Sequence, residues 1–494
     1  MTIDRWIRNA AAHSPDKAAI IFDDQPLSYQ QFTTAIDNAA DWLSNRGLRK
    51  GDRLAYLGLN DPHIFVLLFA CAKMGFVFVP LNWRLSASEI LEILDDCQPR
   101  MMVHDQHFAD VAKTVQQCPC EDLHTTKAQA ASTKAGEHPS RVLPDDAVLL
   151  VYTSGSTGRP KGVLLSQSAL DANAEMSIDA HQMKVTDRVV CVLPLFHVGG
   201  LNILATPAFR LGATVILHQM FDPAQCLQAC AQAQLIIMVP TILKRLIDHQ
   251  DWAAADLTKL RAISIGSTDV PIDLINAVHQ RGVPVIQIYG ATETAPIAIY
   301  QKIGEAFDSV GSIGRAGCAC KIEIRRNDGQ KADIGEAGAI WVHGKNTLLG
   351  YWQDQTLSAE NIKAGWFYTG DVAYQDAAGL FWFVDRIKHV IISGGENIYP
   401  AEIERVLRSH AGIEEVAVIG QADPEWGCVP VAVIGGKSAP KDAEIRDFLN
   451  THLARYKQPR QIYFVDALPR NAMGKIVTED VRAMITNGSQ SPQS

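Results

Sequence analysis

The sequence predicts an α/β protein with a large N-terminal domain of layered sheets and helices and a small α+β domain at the C-terminal end. Short apolar runs alternate with stretches of helical period between Ala18 and Leu81, and further apolar runs follow as far as Tyr289, the pattern of strand and helix layers. Those runs end on polar or glycine-rich loops, at Tyr152, Gly266 and Gly290 among others, and ligands of open parallel sheets bind at such strand ends. At 494 residues the chain exceeds what one core organises, and its composition shifts near Phe383-Val-Asp-Arg-Ile-Lys388.

In chain order, Ala18–Phe22 reads as a strand and Asp23–Pro26 as a turn. Ser28 then caps a helix from Tyr29, with Gln31 completing a capping box. Arg53–Gly58 is a strand, His63–Met74 a helix and Phe76–Val79 a strand. Gln116–Ser140 mixes small and polar residues without period and reads as an exposed loop. Ala147–Val151, Val189–Leu193, Ala213–Leu217, Leu235–Val239, Ala262–Ile265 and Val285–Tyr289 are buried strands. Beyond the shift lie Val390–Ile392, the helix Ala401–Leu407, Val416–Ile419 and Val429–Ile434. The expected organisation is a domain over 1–385, a junction at 386–388 and a domain over 389–494.

Composition narrows the function. Apolar content of 47% and charged content of 20% describe an ordinary globular protein. A net charge of −9 argues against nucleic acid as a partner, so a polyanionic ligand has to be met by local cations. The ten cysteines are scattered, and Cys118/Cys120 and Cys318/Cys320 lack zinc or redox spacing. No run approaches the roughly 18 apolar residues of a membrane span, and the expected location is a reducing cytoplasm.

Tyr152-Thr-Ser-Gly-Ser-Thr-Gly-Arg-Pro-Lys-Gly162 follows a buried strand. Its glycines let backbone N–H groups turn inward, its hydroxyls add donors and Lys161 adds a cation, which makes a phosphate cradle; the plain alternative is a surface linker. It is not the usual P-loop, because Pro160 precedes Lys161 and Gly162 follows it. The stretch resembles the signature of the adenylate-forming superfamily, the acyl-CoA and aryl-CoA synthetases, adenylation domains and beetle luciferases. Tyr289-Gly-Ala-Thr-Glu293, Phe367-Tyr-Thr-Gly-Asp371, Val384-Asp-Arg-Ile-Lys388 and Pro469-Arg-Asn-Ala-Met-Gly-Lys475 resemble its further motifs, in the superfamily's order.

The resemblance implies ATP, Mg²⁺ and coenzyme A as ligands and assigns roles by position. Thr153, Ser154, Gly155, Ser156, Thr157, Gly158 and Lys161 surround the phosphates. Ser267, Thr268 and the run Gln287, Ile288, Tyr289, Gly290 and Ala291 take the nucleotide and border the acyl pocket. Thr292 reaches the α-phosphate, and Glu293, a hard oxygen ligand, holds Mg²⁺; alone, the pair reads as a helix cap and first-turn acid. Asp371 and Arg386 contact the ribose, for a carboxylate accepts two O–H donors at once; the plain reading is a turn and a surface charge. Lys388 is the hinge of a mobile C-terminal lid. Gly394 and Gly395 line the pantetheine channel. Lys475 is the catalytic ammonium for adenylation and, in its Pro-x-x-x-x-Gly-Lys setting, a target for a lysine acetyltransferase. His197 gates the acyl pocket or orients the carboxylate. Gly266-Ser-Thr-Asp-Val-Pro271 departs from the family's usual loop.

The implied reaction joins a small-molecule carboxylic acid to CoA through an acyl-adenylate. The uncharged neighbours Ile203, Ala291, Ala295, Ile297 and Ala298 suggest an aryl or fatty acid. Short bacterial feruloyl- and coumaroyl-CoA synthetases and succinylbenzoate-CoA ligases share further short matches. Loading of a phosphopantetheinyl carrier protein is the rival activity, a non-catalytic nucleotide-binding paralogue the rival class, and a homodimer the assembly considered.

Overall fold

The computed structural model describes residues 2–133, 142–154, 160–266, 270–393, 396–424, 426–436, 440–470 and 476–486. The chain forms two compact units. The first comprises Met1–Ile322, Trp341–Thr369 and Ala378–Phe381, and the second Glu323–Ile340, Gly370–Ala377 and Trp382–Ser494. The second unit therefore includes two segments upstream of residues 386–388, where the sequence puts the junction.

Two large sheets organise the first unit. One has nine strands, in the order Arg315–Ala316, Ile299–Tyr300, Val285–Tyr289, Ala262–Gly266, Leu235–Met238, Arg188–Cys191, Thr214–Leu217, Ala18–Phe22 and Gln25–Ser28. Its centre is parallel, with Ile263 opposite Val285 and Leu235 opposite Ala262, and its edges are antiparallel. The other has seven strands, running Gly350–Tyr351, Pro160–Ser166, Ala147–Ser154, Val77–Pro80, Arg53–Leu57, Met101–His104 and Cys120–Asp122. The apolar runs read from the sequence are these strands, and both faces of a parallel sheet must be covered.

Helices supply the cover. Ser28 accepts from Gln31 N–H while the Gln31 side chain accepts from Ser28 N–H, the expected capping box. Asp61 caps the helix Pro62–Met74, which is buried almost all round. Phe209, from Thr206–Leu211, is wholly buried and meets the rings of Phe65, Phe32 and Phe69 at 5.0, 5.3 and 6.0 Å between centroids.

The expectation of an exposed loop over Gln116–Ser140 is corrected. Cys120–Asp122 is a strand pairing with Met102–His104, and Leu123–Ser132 is a helix capped by Asp122, whose side chain accepts from Thr125 N–H. Leu123, Thr126 and Ala130 form its buried stripe, too sparse an apolar signal to stand out in a Thr- and Ala-rich stretch.

In the second unit Glu415–Asp423, Gly427–Gly435 and Gln461–Val465 form a three-stranded sheet. The helices Pro400–Arg408 and Asp442–His452 contribute Ile403, Leu407, Ile445 and Leu449 to one core with Ala432 and Ile434. Val481, from the helix Thr478–Thr486, packs with Ala417, Val431 and Val433 in the other. Among the described residues no helix is long and apolar enough to cross a membrane.

Truncating the aromatic cluster tests how much it carries. Phe209→Ala is expected to destabilise the first unit by about 3–5 kcal/mol, read as a lowered urea midpoint, because deleting a wholly buried ring loses its contacts and leaves a cavity.

Candidate active site

The strand Ala147–Ser154 runs three residues beyond the apolar stretch and turns back as Pro160–Ser166, setting Thr153 opposite Lys161 and Ser154 opposite Pro160. Thr153 Oγ1 donates to the Lys161 carbonyl at 3.4 Å. Gly155, Ser156, Thr157 and Gly158, with the side chain of Ser154, lie outside the described residues. Gly162 sits in the ladder opposite Tyr152, where a Cβ would come 2.9 Å from Trp352 Cβ. Its lack of a side chain is thus a packing requirement.

At the end of the strand Val285–Tyr289, Gly290 admits nothing larger: a Cβ there would lie 1.8 Å from the Pro296 carbonyl oxygen. Thr292–Thr294 is a short 3-10 turn, with Thr292 buried. Gln287 Nε2 donates to the Ser312 carbonyl at 2.7 Å, and Ile288 is core, so both side chains serve the sheet itself. Ser267 and Thr268 lie outside the described residues, although Gly266 before them packs so closely that a Cβ would sit 2.4 Å from the Ile288 carbonyl oxygen.

The segment Asn346–Trp352 joins these parts. Asn346 Nδ2 donates to the Ile297 carbonyl at 2.8 Å, and Leu348 N–H to the Glu293 carbonyl at 2.8 Å. Leu349 N–H donates to the Leu164 carbonyl at 2.8 Å and Trp352 N–H to the Gly162 carbonyl at 2.7 Å. Between them the Tyr351 hydroxyl donates to Glu293 Oε1 at 2.9 Å. Burial first, then the Glu293 charge, pushes the phenol above its ordinary range, so it stays a donor.

The donor set suits Mg²⁺. A carboxylate has about four lone-pair sites, more than the Tyr351 hydroxyl uses, and Mg²⁺ typically takes one or two carboxylates with substrate phosphates. Among the described residues no cluster of three His, Cys, Asp or Glu forms a cage of protein ligands.

His197 begins a short helical turn, and its Nδ1 accepts from Gly199 N–H at 3.0 Å. With Nδ1 accepting, a neutral ring carries its proton on Nε2. Asn60 clamps the preceding loop: Nδ2 donates to the Leu193 carbonyl at 3.0 Å, and Oδ1 accepts from Leu195 N–H at 2.9 Å. Leu201–Ala205 continues as a π-turn, a distortion frequent at functional sites. Ile203, Ala295, Ile297 and Ala298 are buried.

In the second unit Asp371 and Arg386 are brought together, with Arg386 Nε 3.1 Å from Oδ1 of the buried carboxylate. Lys388 lies in the 3-10 turn Ile387–His389. Gly394 and Gly395 lie outside the described residues, as does Lys475. The flanking Arg470 and Ile476 form an antiparallel bridge.

Sequence reasoning missed Asn60, Asn346 and Tyr351. Two grip backbone carbonyls and the third touches a motif carboxylate, and a lone Asn or Tyr announces none of that. Tyr351→Phe removes a hydrogen bond to a charged group, so the Mg²⁺ concentration for half-maximal AMP release should rise roughly tenfold, equivalent to about 1.4 kcal/mol. An unchanged Mg²⁺ titration would deny Tyr351 that role.

The comparisons with known proteins agree with this architecture. The profile of the AMP-binding enzymes matches residues 7–352, and that of the AMP-binding enzyme C-terminal domain matches 402–475. The indoleacetate–CoA ligase of Aromatoleum aromaticum is 43% identical over 501 aligned residues, covering 98% of both chains. A feruloyl-CoA synthase from an Amycolatopsis species is 37% identical, covering 97% of this chain and 98% of its own. The o-succinylbenzoate CoA synthetase of Bacillus subtilis, solved with its acyl-adenylate intermediate, superposes with a TM-score of 0.88 at 31% identity over 99% of each chain. With its profile matched over most of the length and its motifs in order, the chain belongs to the AMP-binding enzymes, in the branch of the acyl-CoA and aryl-CoA synthetases.

Proposed function

We propose that this chain is an ATP-dependent carboxylate–CoA ligase acting on an aryl acid of the arylacetate or cinnamate type. The observation that carries the reading is that Ile203, Ala295, Ile297 and Ala298, which the motif resemblance puts beside the acyl group, are all buried and uncharged, in the same unit as His197. An amino acid substrate would call for a carboxylate to meet its ammonium, and Val198 and Gly199 beside His197 supply none. The indoleacetate and ferulate ligases among its relatives point to the same class of acid.

In the first half-reaction a carboxylate oxygen bonds to the α-phosphorus of ATP and the bond to pyrophosphate breaks. In the second, the CoA sulfur bonds to the acyl carbon and AMP leaves. His197 orients the acid and the backbone around Thr153–Lys161 and Tyr289–Thr292 holds the nucleotide; Glu293 would hold Mg²⁺, which when bound would offset phosphate charge. Asp371 and Arg386 take the ribose. Lys475 supplies the ammonium of the first step and is carried away before the second by rotation at Lys388. Gly394 and Gly395 border the pantetheine path, and the reducing cytoplasm suits ten cysteines that are all free thiols.

AMP release measured with CoA across indoleacetate, ferulate, benzoate and decanoate tests the substrate class. The two aryl acids with a spacer before the carboxylate should give the highest kcat/KM; highest activity on decanoate would overturn the assignment. Replacing free CoA by a phosphopantetheinyl carrier protein separates the rival acceptor. Lys475→Ala, or acetylation of Lys475, should lower acyl-AMP formation by about 10²–10³-fold while sparing thioester formation from supplied acyl-AMP. Equal loss of both steps would contradict the two-position lysine.

A further inference from the structure

The helix Gln167–His181 buries a polar stripe. Asn173, Ser177 and His181, spaced by four along one face, are each 0% exposed. Buried polar groups are costly unless bonded, so their partners carry information. Asn173 Nδ2 donates to the Asn202 carbonyl at 2.7 Å, and its Oδ1 accepts from Ile297 N–H at 3.1 Å. Ser177 Oγ donates to the Ile203 carbonyl. His181 Nε2 lies 2.5 Å from Ser264 Oγ, in the strand Ala262–Gly266. The stripe thus grips the π-turn carrying Ile203, the Ile297 segment and the strand leading to Gly266.

The geometry fixes the tautomer of His181. Nδ1 is 2.7 Å from the Ser177 carbonyl, which can only accept, so Nδ1 bears the hydrogen and Nε2 accepts from the Ser264 hydroxyl. We propose that His181 and Ser264 are positioning residues for the acid substrate, setting the spacing between the Ile203 turn and the Gly266 strand. Neither residue belongs to the motifs above. This rests on the function proposed above, in which the acid borders both segments while the nucleotide's phosphates are met by the Thr153–Lys161 hairpin and the Tyr289–Thr292 segment. Disturbing the link therefore costs acid binding more than ATP binding.

The link also has a pH limit. The groups facing the ring are Ser177, Ser264 and Arg261, the last paired with Asp187. Burial lowers the imidazole from 6.5 to about 4, opposed by the hydrogen bond to the Ser177 carbonyl and aided to a smaller extent by the Arg261 charge. The unfolded chain binds the proton more readily, so stability is full above about pH 6.5 and falls as the pH drops toward about 4.

The test is steady-state kinetics of the full chain with indoleacetate as the probe acid, near neutral pH. His181→Leu and Ser264→Ala should each raise the KM for indoleacetate at least about fivefold while kcat and the KM for ATP stay within about twofold. His181→Gln, whose Oε1 can reach the Ser264 hydroxyl, should restore the acid KM; His181→Asn, which reaches only the Ser177 carbonyl, should behave like leucine. Leucine and alanine together should be no worse than leucine alone. A parallel rise in both KM values, or a glutamine variant as impaired as leucine, would overturn the proposal. Where leucine fails to fold, Ser264→Ala and the Gln/Asn pair decide alone. If the unaltered enzyme ignores indoleacetate, the arylacetate reading fails, and the same series run with the best acid of the panel tests the positioning separately. The melting temperature of His181→Gln should fall less steeply than that of the parent between about pH 6.5 and 4, since no imidazole remains to titrate.

Discussion

One short stretch of backbone, Asn346–Trp352, holds the candidate site of the first unit in register. Its N–H groups pair alternately with the Glu293 carbonyl and with those of Leu164 and Gly162, and Tyr351 lays its hydroxyl on the Glu293 carboxylate. The hairpin Ala147–Ser166 and the turn bearing Glu293 are therefore joined through one segment, although more than a hundred residues separate them in sequence. Hydrogen bonds of this kind contribute about 0.5–1.5 kcal/mol each, yet leaving such groups unmade in a buried place costs more. Register, more than raw stability, is what they provide. The glycine requirements follow from the same crowding: Gly162 yields to Trp352, and Gly290 to the Pro296 carbonyl.

A second set of constraints comes from buried amides and hydroxyls that grip backbone. Asn60 holds both sides of the loop leading to His197, Asn173 holds the π-turn and Ile297, and Ser177 holds the same turn one residue further on. Apolar packing around them is dense, with Leu195, Val198, Leu201 and Leu204 in the same core. Hydrophobic burial is indifferent to small slides of one segment along another, whereas a donor facing a carbonyl is not. The apolar layer supplies most of the driving force, and the polar stripe selects one alignment from those the layer would allow.

What the sequence made legible follows from how local each signal is. The Ser28 capping box and the parallel strands were readable because their causes lie within a few residues. The Tyr289–Glu293 motif was readable through resemblance. Leu123–Ser132 was missed because its apolar stripe is thin and its cap, Asp122, is one polar residue among many in that stretch. Asn60, Asn346, Tyr351 and His181 were missed for a different reason. Each acts on a partner distant in sequence, in two cases a bare carbonyl of any residue type, and that partner appears only when the sheets assemble. Gly162 illustrates the converse: the sequence reads it as part of a phosphate cradle, and the ladder shows a steric duty that the sequence did not announce.

The second unit places a condition on any rotation at Lys388. The buried Asp385 carboxylate accepts from Arg386 N–H at 2.6 Å and from Ala401 N–H at 2.7 Å, in the first turn of the helix Pro400–Arg408. A carboxylate at a helix N-terminus is favoured by the exposed N–H groups and the helix dipole, and a charge-assisted bond of this type contributes about 1.5–3 kcal/mol. Residues 386–400 thus form a loop whose two ends are tied together. Changing the backbone torsions at Lys388 alone would pull Ala401 away from Asp385 unless other torsions inside the loop compensate. Either the bond opens during the rotation, at a cost that replacement donors must offset, or Asp385 travels with the helix and the bending falls before it, near the Phe381/Trp382 boundary between the units. These alternatives differ in whether the Asp385 bond to Ala401 would survive such a rotation, so the carboxylate, more than the lysine three residues on, would report where the chain bends.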